Sequence, residues 1–237
     1  MDMTMKEKIC IVTGAARGIG KAIAKRYVDA GGRVAIADLD PDAAKETAKQ
    51  LTREGSGEAI GLAMDVTDEG AVNAGVEHIA NLWGGVDVLV SNAGVQIVHR
   101  LEDFPYSDWK KMLAIHLDGA FLTTKACLPY MHKRGGGAVI YMGSVHSKEA
   151  SALKSAYVTA KHGLLGLARV VSKEGAQHGV RANVICPGFV RTPLVDKQIP
   201  QQAKQLGISE QDVIENVMLG RTVDKEFTTV EDVAEIA

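Results

Sequence analysis

The chain of 237 residues has little cysteine, no excess of either charge and no long apolar run. Its three cysteines, Cys10, Cys127 and Cys186, are odd in number, far apart and set in apolar surroundings. That pattern excludes a disulfide framework and offers no metal-ligand spacing, so buried free thiols in a reducing, cytoplasmic compartment are expected. Lys plus Arg total 27 against 29 Asp plus Glu, which leaves no basic field to attract nucleic acid or an anionic membrane. No stretch approaches the roughly 20 apolar residues of a membrane span. The start, MDMTMKEKICIVTG, runs directly into a strand pattern without a signal-type segment. His99, His132 and His178 have no evident metal partners, so no metal is expected. Internal repeats and low-complexity segments are also missing.

What remains is an ordinary globular composition, 46% hydrophobic and 24% charged, long enough for one substantial core. Short Val/Ile-rich runs at 8–14, 33–38, 58–66, 86–94, 137–144 and 180–188 read as strands. They are continuous rather than alternating, as strands covered on both faces are. Helical patterns at 19–31, 40–55, near 68–83, 107–133 and 154–178 fill the gaps. This alternation predicts one α/β domain over 1–237, a Rossmann-type, doubly wound parallel sheet. Residues 189–228 break the rhythm with two amphipathic, polar stretches, and a helical substrate lid is expected near 191–222. The last residues, TVEDVAEIA, read as a helix after which a further strand would normally follow, so the natural chain is expected to continue past Ala237.

VTGAARGIG (12–20) joins the first strand to the first helix. Gly14, Gly18 and Gly20 permit a tight turn, close backbone approach and helix packing, and the helix amino end can receive a pyrophosphate. Asp38 closes the second strand at the offset of a ribose-binding acid. A carboxylate there accepts from both ribose hydroxyls and repels a 2′-phosphate. Arg17 would favour a phosphate, but Leu39 supplies no second cation. The expected cofactor is NAD.

Further along, Lys154, Tyr157 and Lys161 fall at i, i+3 and i+7 on one helical stripe, preceded by Ser144 and His146. Two ammonium groups flanking a phenol is unusual for a helix that merely packs.

TGxxxGxG at Thr13–Gly20, NAG at Asn92–Gly94, a serine after the fifth strand, YxxxK at Tyr157–Lys161 and PG at Pro187–Gly188 occur in that order. Along nearly its whole length the chain thus resembles the short-chain dehydrogenase/reductase family. The resemblance implies a nicotinamide cofactor and a homotetramer. It implies cofactor contacts at Thr13, Gly14, Arg17, Gly18, Ile19, Gly20, Asp38 and Leu39, with Asp65 and Val66 beside the adenine. Asn92, Gly94, Tyr157, Lys161, Pro187, Gly188 and Val190 continue the path, and Thr192 lies near the carboxamide. It makes Tyr157 the acid/base, Lys161 its activator and Ser144 the carbonyl-polarising hydroxyl. His116 departs from the pattern, standing where the family carries an asparagine that helps hold a water. Histidine can hydrogen-bond through either nitrogen and can titrate near neutrality, so relay and packing roles both stay open.

A narrower resemblance, to the bacterial soluble D-3-hydroxybutyrate dehydrogenases, rests on Gln96, His146, Lys154 and Gln198. With Ser144 and Tyr157 they look like a carboxylate-binding substrate pocket. Phe189 departs from that group's usual tryptophan, so the lid is expected to pack differently. A free tyrosine, with a pKa near 10, is a poor base at neutral pH, and Lys161 is expected to favour its phenolate. The implied reaction is interconversion of (R)-3-hydroxybutyrate and acetoacetate. Reduction of a 3-oxoacyl thioester, oxidation of a sugar or polyol, and a non-catalytic NAD-binding role remain the alternatives.

Overall fold

The computed structural model describes residues 4–237. Six strands form a single parallel sheet in the order β3-β2-β1-β4-β5-β6. They are β1 (Ile9–Thr13), β2 (Arg33–Asp38), β3 (Glu58–Ala63), β4 (Val88–Ser91), β5 (Gly137–Met142) and β6 (Val180–Ile185). β1 is buried throughout, paired on one side with β2 and on the other with β4, so Val12 faces both Ile36 and Val90.

Strand pleating sends alternate residues of β1 into two cores. Ile9 and Ile11 pack with α3 (Glu69–Trp83), α5 (Gly119–Lys133) and α6 (Ser155–Gly175) on one face. Cys10 and Val12 pack with α1 (Gly18–Asp29), α2 (Pro41–Glu54) and α9 (Val230–Ile236) on the other. This covering of both faces is why the strands read as unbroken apolar runs. Cys10 and Cys127 lie buried within these cores as free thiols, and Cys186 is half-buried.

Four expected strands end early, at Ala63, Ser91, Met142 and Ile185, two residues short at Met142 and three at the others. Past those points the chain turns away from its neighbours at the carboxyl edge of the sheet, and the overrun residues become loops. The helix expected over 107–133 is interrupted. α4 (Tyr106–Leu113) passes through a π-helical turn, Ala114–Asp118, before α5 begins. Such turns re-aim side chains, and here the turn carries His116, only 5% exposed.

The expected lid holds α7 (Pro193–Leu206) and α8 (Glu210–Asp212), which runs into a second π-helical turn, Val213–Met218. Val195, Ile199, Ala203, Val213, Met218 and Leu219 make a small apolar cluster of their own, against which Phe189 and Phe227 pack. α9 returns to α1, where Arg26 Nε meets Glu235 at 2.7 Å.

Candidate active site

The sheet order reverses between β1 and β4, which opens a crevice beyond the carboxyl ends of the strands. A cavity of about 760 Å³ occupies it. Its wall includes Gly14, Arg17, Gly18, Ile19, Asp38, Leu39, Asp65, Val66, Asn92 and Gly94 at one end. Toward the other end come Gln96, Ser144, His146, Lys154, Tyr157, Lys161, Pro187, Gly188, Val190, Thr192 and Gln198. Two residues expected at the cofactor stand behind the wall instead. Thr13 is 1% exposed, and its Oγ1 accepts from the Asn92 and Ala93 amides at 2.9 and 3.0 Å, tying β1 to β4. Gly20 is an approach point, since a Cβ there would sit 2.5 Å from the Gly14 carbonyl oxygen.

Gly14 takes φ +62, and a Cβ on it would lie 2.9 Å from Ala93 Cα. α1 starts after Arg17 with no side-chain cap and no acidic residue in its first turn. Its first amides are therefore left for an anion. Asn92 directs its Nδ2 to the Thr13 and Gly14 carbonyls at 2.8 and 3.2 Å, so the amide shapes the glycine turn. Asp38 accepts from the amides of Ala16 and Asp40 at 3.0 and 3.2 Å, which fixes its carboxylate at the mouth of the crevice. Arg17 is held by Asp40 at 3.5 Å. These features fit a dinucleotide, with the pyrophosphate at α1 and a ribose at Asp38.

At the far end, β5 leads into Ser144, a buried residue that opens a short 3₁₀ turn carrying His146. The start of α6 brings Lys154, Tyr157 and Lys161 to the same cavity, so the stripe read from sequence is real. Its electrostatics differ from expectation. Burial pushes the Tyr157 phenol up to about 12, against a smaller downward pull from a hydrogen bond with Ser144. The Lys161 ammonium lies 5.3 Å from the ring centroid and donates to the Met142 carbonyl at 2.5 Å. Burial also brings Lys161 down to about 8.

His116 packs edge-on to Tyr157, with ring centroids 5.3 Å apart. Its Nε2 lies 2.7 Å from the Val95 carbonyl oxygen and 3.2 Å from the Val95 amide, so it donates to the first or accepts from the second according to its tautomer, while Nδ1 is buried without a partner. Burial, then the charge of Lys161, lowers its pKa to about 3, so it stays neutral rather than titrating near neutrality.

Lys154 is 3% exposed, and no carboxylate among the described residues pairs with it. Its ammonium lies 4.8 Å over the Phe189 ring and 3.5 Å from His146 Nε2, and burial lowers its pKa to about 8. Gln198 is buried on α7 and donates to the Leu194 carbonyl at 3.2 Å, while Gln96 donates to Ile97 at 3.2 Å. Lys111, Ile115, Met142, Leu194 and Lys197 also line the cavity. Sequence reading passed over them because apolar residues and lysines on helices carry no signature of their own. Phe189, noted there only as a departure, turns out to be the aromatic face under Lys154.

A parallel sheet of this order, opening a glycine turn onto a largely apolar cavity with a few convergent polar groups, is the architecture of dinucleotide-dependent oxidoreductases. The short chain dehydrogenase family matches residues 8–203, and the chain belongs to it. It is 42% identical to the D-beta-hydroxybutyrate dehydrogenase of Rhizobium meliloti (strain 1021), over 97% of this chain and 90% of the relative. The enzyme of that name from Cupriavidus necator is 38% identical over 97% and 89%. Among solved structures, an NAD+-bound xylitol dehydrogenase superposes with a TM-score of 0.93 at 27% identity, covering 99% of this chain and 92% of its own.

Proposed function

We propose that this oxidoreductase uses NAD to interconvert (R)-3-hydroxybutyrate and acetoacetate. Tyr157 is its acid/base, Ser144 the donor to the carbonyl oxygen, and Lys161 a cation supporting the site. The observation that carries the substrate class is the buried Lys154 ammonium without a carboxylate partner. Burying an unpaired cation costs several kcal/mol, and a substrate carboxylate would offset that cost. Gln96 and Gln198 each spend one N–H on a neighbouring carbonyl, which leaves a second for the acid. The two D-beta-hydroxybutyrate dehydrogenases among the relatives support the same substrate.

Held by the glycine turn at Gly14, by Asp38 and by the lining at Asn92 and Thr192, NAD would supply the hydride chemistry, and its oxidised form would add positive charge near the phenol. Tyr157 takes the alcohol proton in oxidation and returns it in reduction. Ser144 holds the oxygen at that distance, and the Lys154 end holds the carboxylate away from the reacting carbon. Asp38 supports NAD over NADP, because its carboxylate, fixed by the Ala16 amide, repels a 2′-phosphate. This reading also takes the chain as one catalytic domain in a cytoplasmic homotetramer, as the family resemblance implies. A sedimentation mass of four chains is its check.

A second reading, polyol oxidation, draws on the likeness to xylitol dehydrogenase. Steady-state assays of (R)-3-hydroxybutyrate, xylitol and a 3-hydroxyacyl thioester with each cofactor separate the cases. Lys154→Met is expected to raise KM for the hydroxy acid roughly ten- to a hundredfold, the worth of a charged hydrogen bond. KM for an uncharged alcohol should stay put. Equal losses on both substrates would remove the acid pocket.

A further inference from the structure

Lys154 reaches the cavity by way of an unusual residue before it. Leu153 closes a turn over Ala152–Leu153 with φ +67. Glycine and asparagine adopt this left-handed conformation readily, and leucine does not. Only two other non-glycine residues among those described share it, Glu7 and Lys225, and both are exposed and away from the cavity. The Leu153 carbonyl is also tied down, accepting from the His99 amide at 3.1 Å. His99 belongs to the loop that carries Gln96, so the segment holding one polar pocket residue latches the turn that aims another.

Two unfavourable features thus sit side by side, a strained backbone and an ammonium taken out of water. Such features persist where the surroundings over-determine them. A long cationic side chain released from its turn extends toward solvent.

We infer that Leu153 is a positioning residue for substrate choice: its left-handed turn, latched to His99, fixes the Lys154 ammonium inside the cavity against Phe189 and His146. The inference deepens the acid-pocket reading of Lys154 and rests on it for its kinetic consequence. Its geometric part stands apart from the identity of the substrate.

The test is a series at this position: Leu153→Asn, which keeps the left-handed turn, Leu153→Gly, which admits either sign of φ, and Leu153→Val, which disfavours it. The purified full chain is labelled with acetic anhydride across pH, and acylation of Lys154 is followed by peptide mass spectrometry. The wild-type reactivity midpoint is expected near 8, as burial sets it. Leu153→Asn should match the wild type, Leu153→Gly should rise above it, and Leu153→Val should approach the roughly 10.4 of a solvated lysine. On (R)-3-hydroxybutyrate, Leu153→Val should raise KM about tenfold with little change in kcat, and KM for an uncharged alcohol should not follow. If Leu153→Val does not fold, the comparison of Gly with Asn decides. Equal labelling midpoints in the folded variants overturn the inference. Shifted midpoints with equal KM changes on charged and uncharged substrates would keep the turn and remove the acid pocket instead.

Discussion

A phenol raised to about 12 by burial carries little phenolate at neutral pH, even with the Lys161 ammonium 5.3 Å from its ring centroid. Burial outweighs charge at this site. The same competition governs His116, whose pKa is depressed to about 3. The unfolded imidazole titrates near 6.5. Between those values only the unfolded chain binds the proton, so stability is full above about 6.5 and falls as pH drops toward 3, by at most about 1.4 kcal/mol per pH unit. His146, lowered to about 4 chiefly by burial, acts in the same direction. His116→Asn is therefore expected to flatten the loss of stability between pH 6 and 4, read by urea unfolding at each pH. Slopes equal to wild type would mean that the ring is hydrated in the folded chain.

At the scale of elements, the strands were legible to within a few residues, and the shortfall is informative. A strand needs a neighbour to continue, and Asn92, Gly143 and Cys186 lie just beyond the last paired residues. Apolar sequence alone cannot register that loss of pairing. The glycine turn, the Tyr157–Lys161 pair and the polar pocket residues were all legible because their spacing matches known motifs. The π-helical turn at His116, the left-handed Leu153 and the carbonyl partner of Lys161 were not, since each depends on contacts between segments distant in sequence. The glycine turn makes a sharp prediction. An alanine at Gly14 would combine φ +62 with a Cβ 2.9 Å from Ala93 Cα. Gly14→Ala is expected to weaken NAD binding at least tenfold by titration calorimetry. It should also cost about 1–2 kcal/mol of stability. Unchanged affinity would show that the backbone at this turn does not approach the pyrophosphate.

For the whole molecule, the arrangement is one of two sheet-face cores and a third, smaller apolar cluster in the lid. A segment with its own cluster can move as a unit, and Gln198 on α7 joins it to the cavity. Exposed contacts such as Arg221 with Glu149, at 2.9 Å, contribute little to holding it shut. Hydroxy acid added to the NAD complex is expected to slow amide hydrogen exchange across residues 191–222 while the sheet amides stay as they were. Unaltered exchange in that segment would break the link between carboxylate capture and lid closure.

The account turns on Tyr157 as the group that exchanges the proton. The most direct measurement is stopped-flow reduction of NAD by (R)-3-hydroxybutyrate across pH 6 to 10, for the wild type and Tyr157→Phe. The wild-type hydride-transfer rate should climb with pH as phenolate forms. The variant should retain NAD binding, with a rate at least roughly a hundredfold lower and flat across the range. A variant that keeps the wild-type rate and its rise with pH would contradict the mechanism.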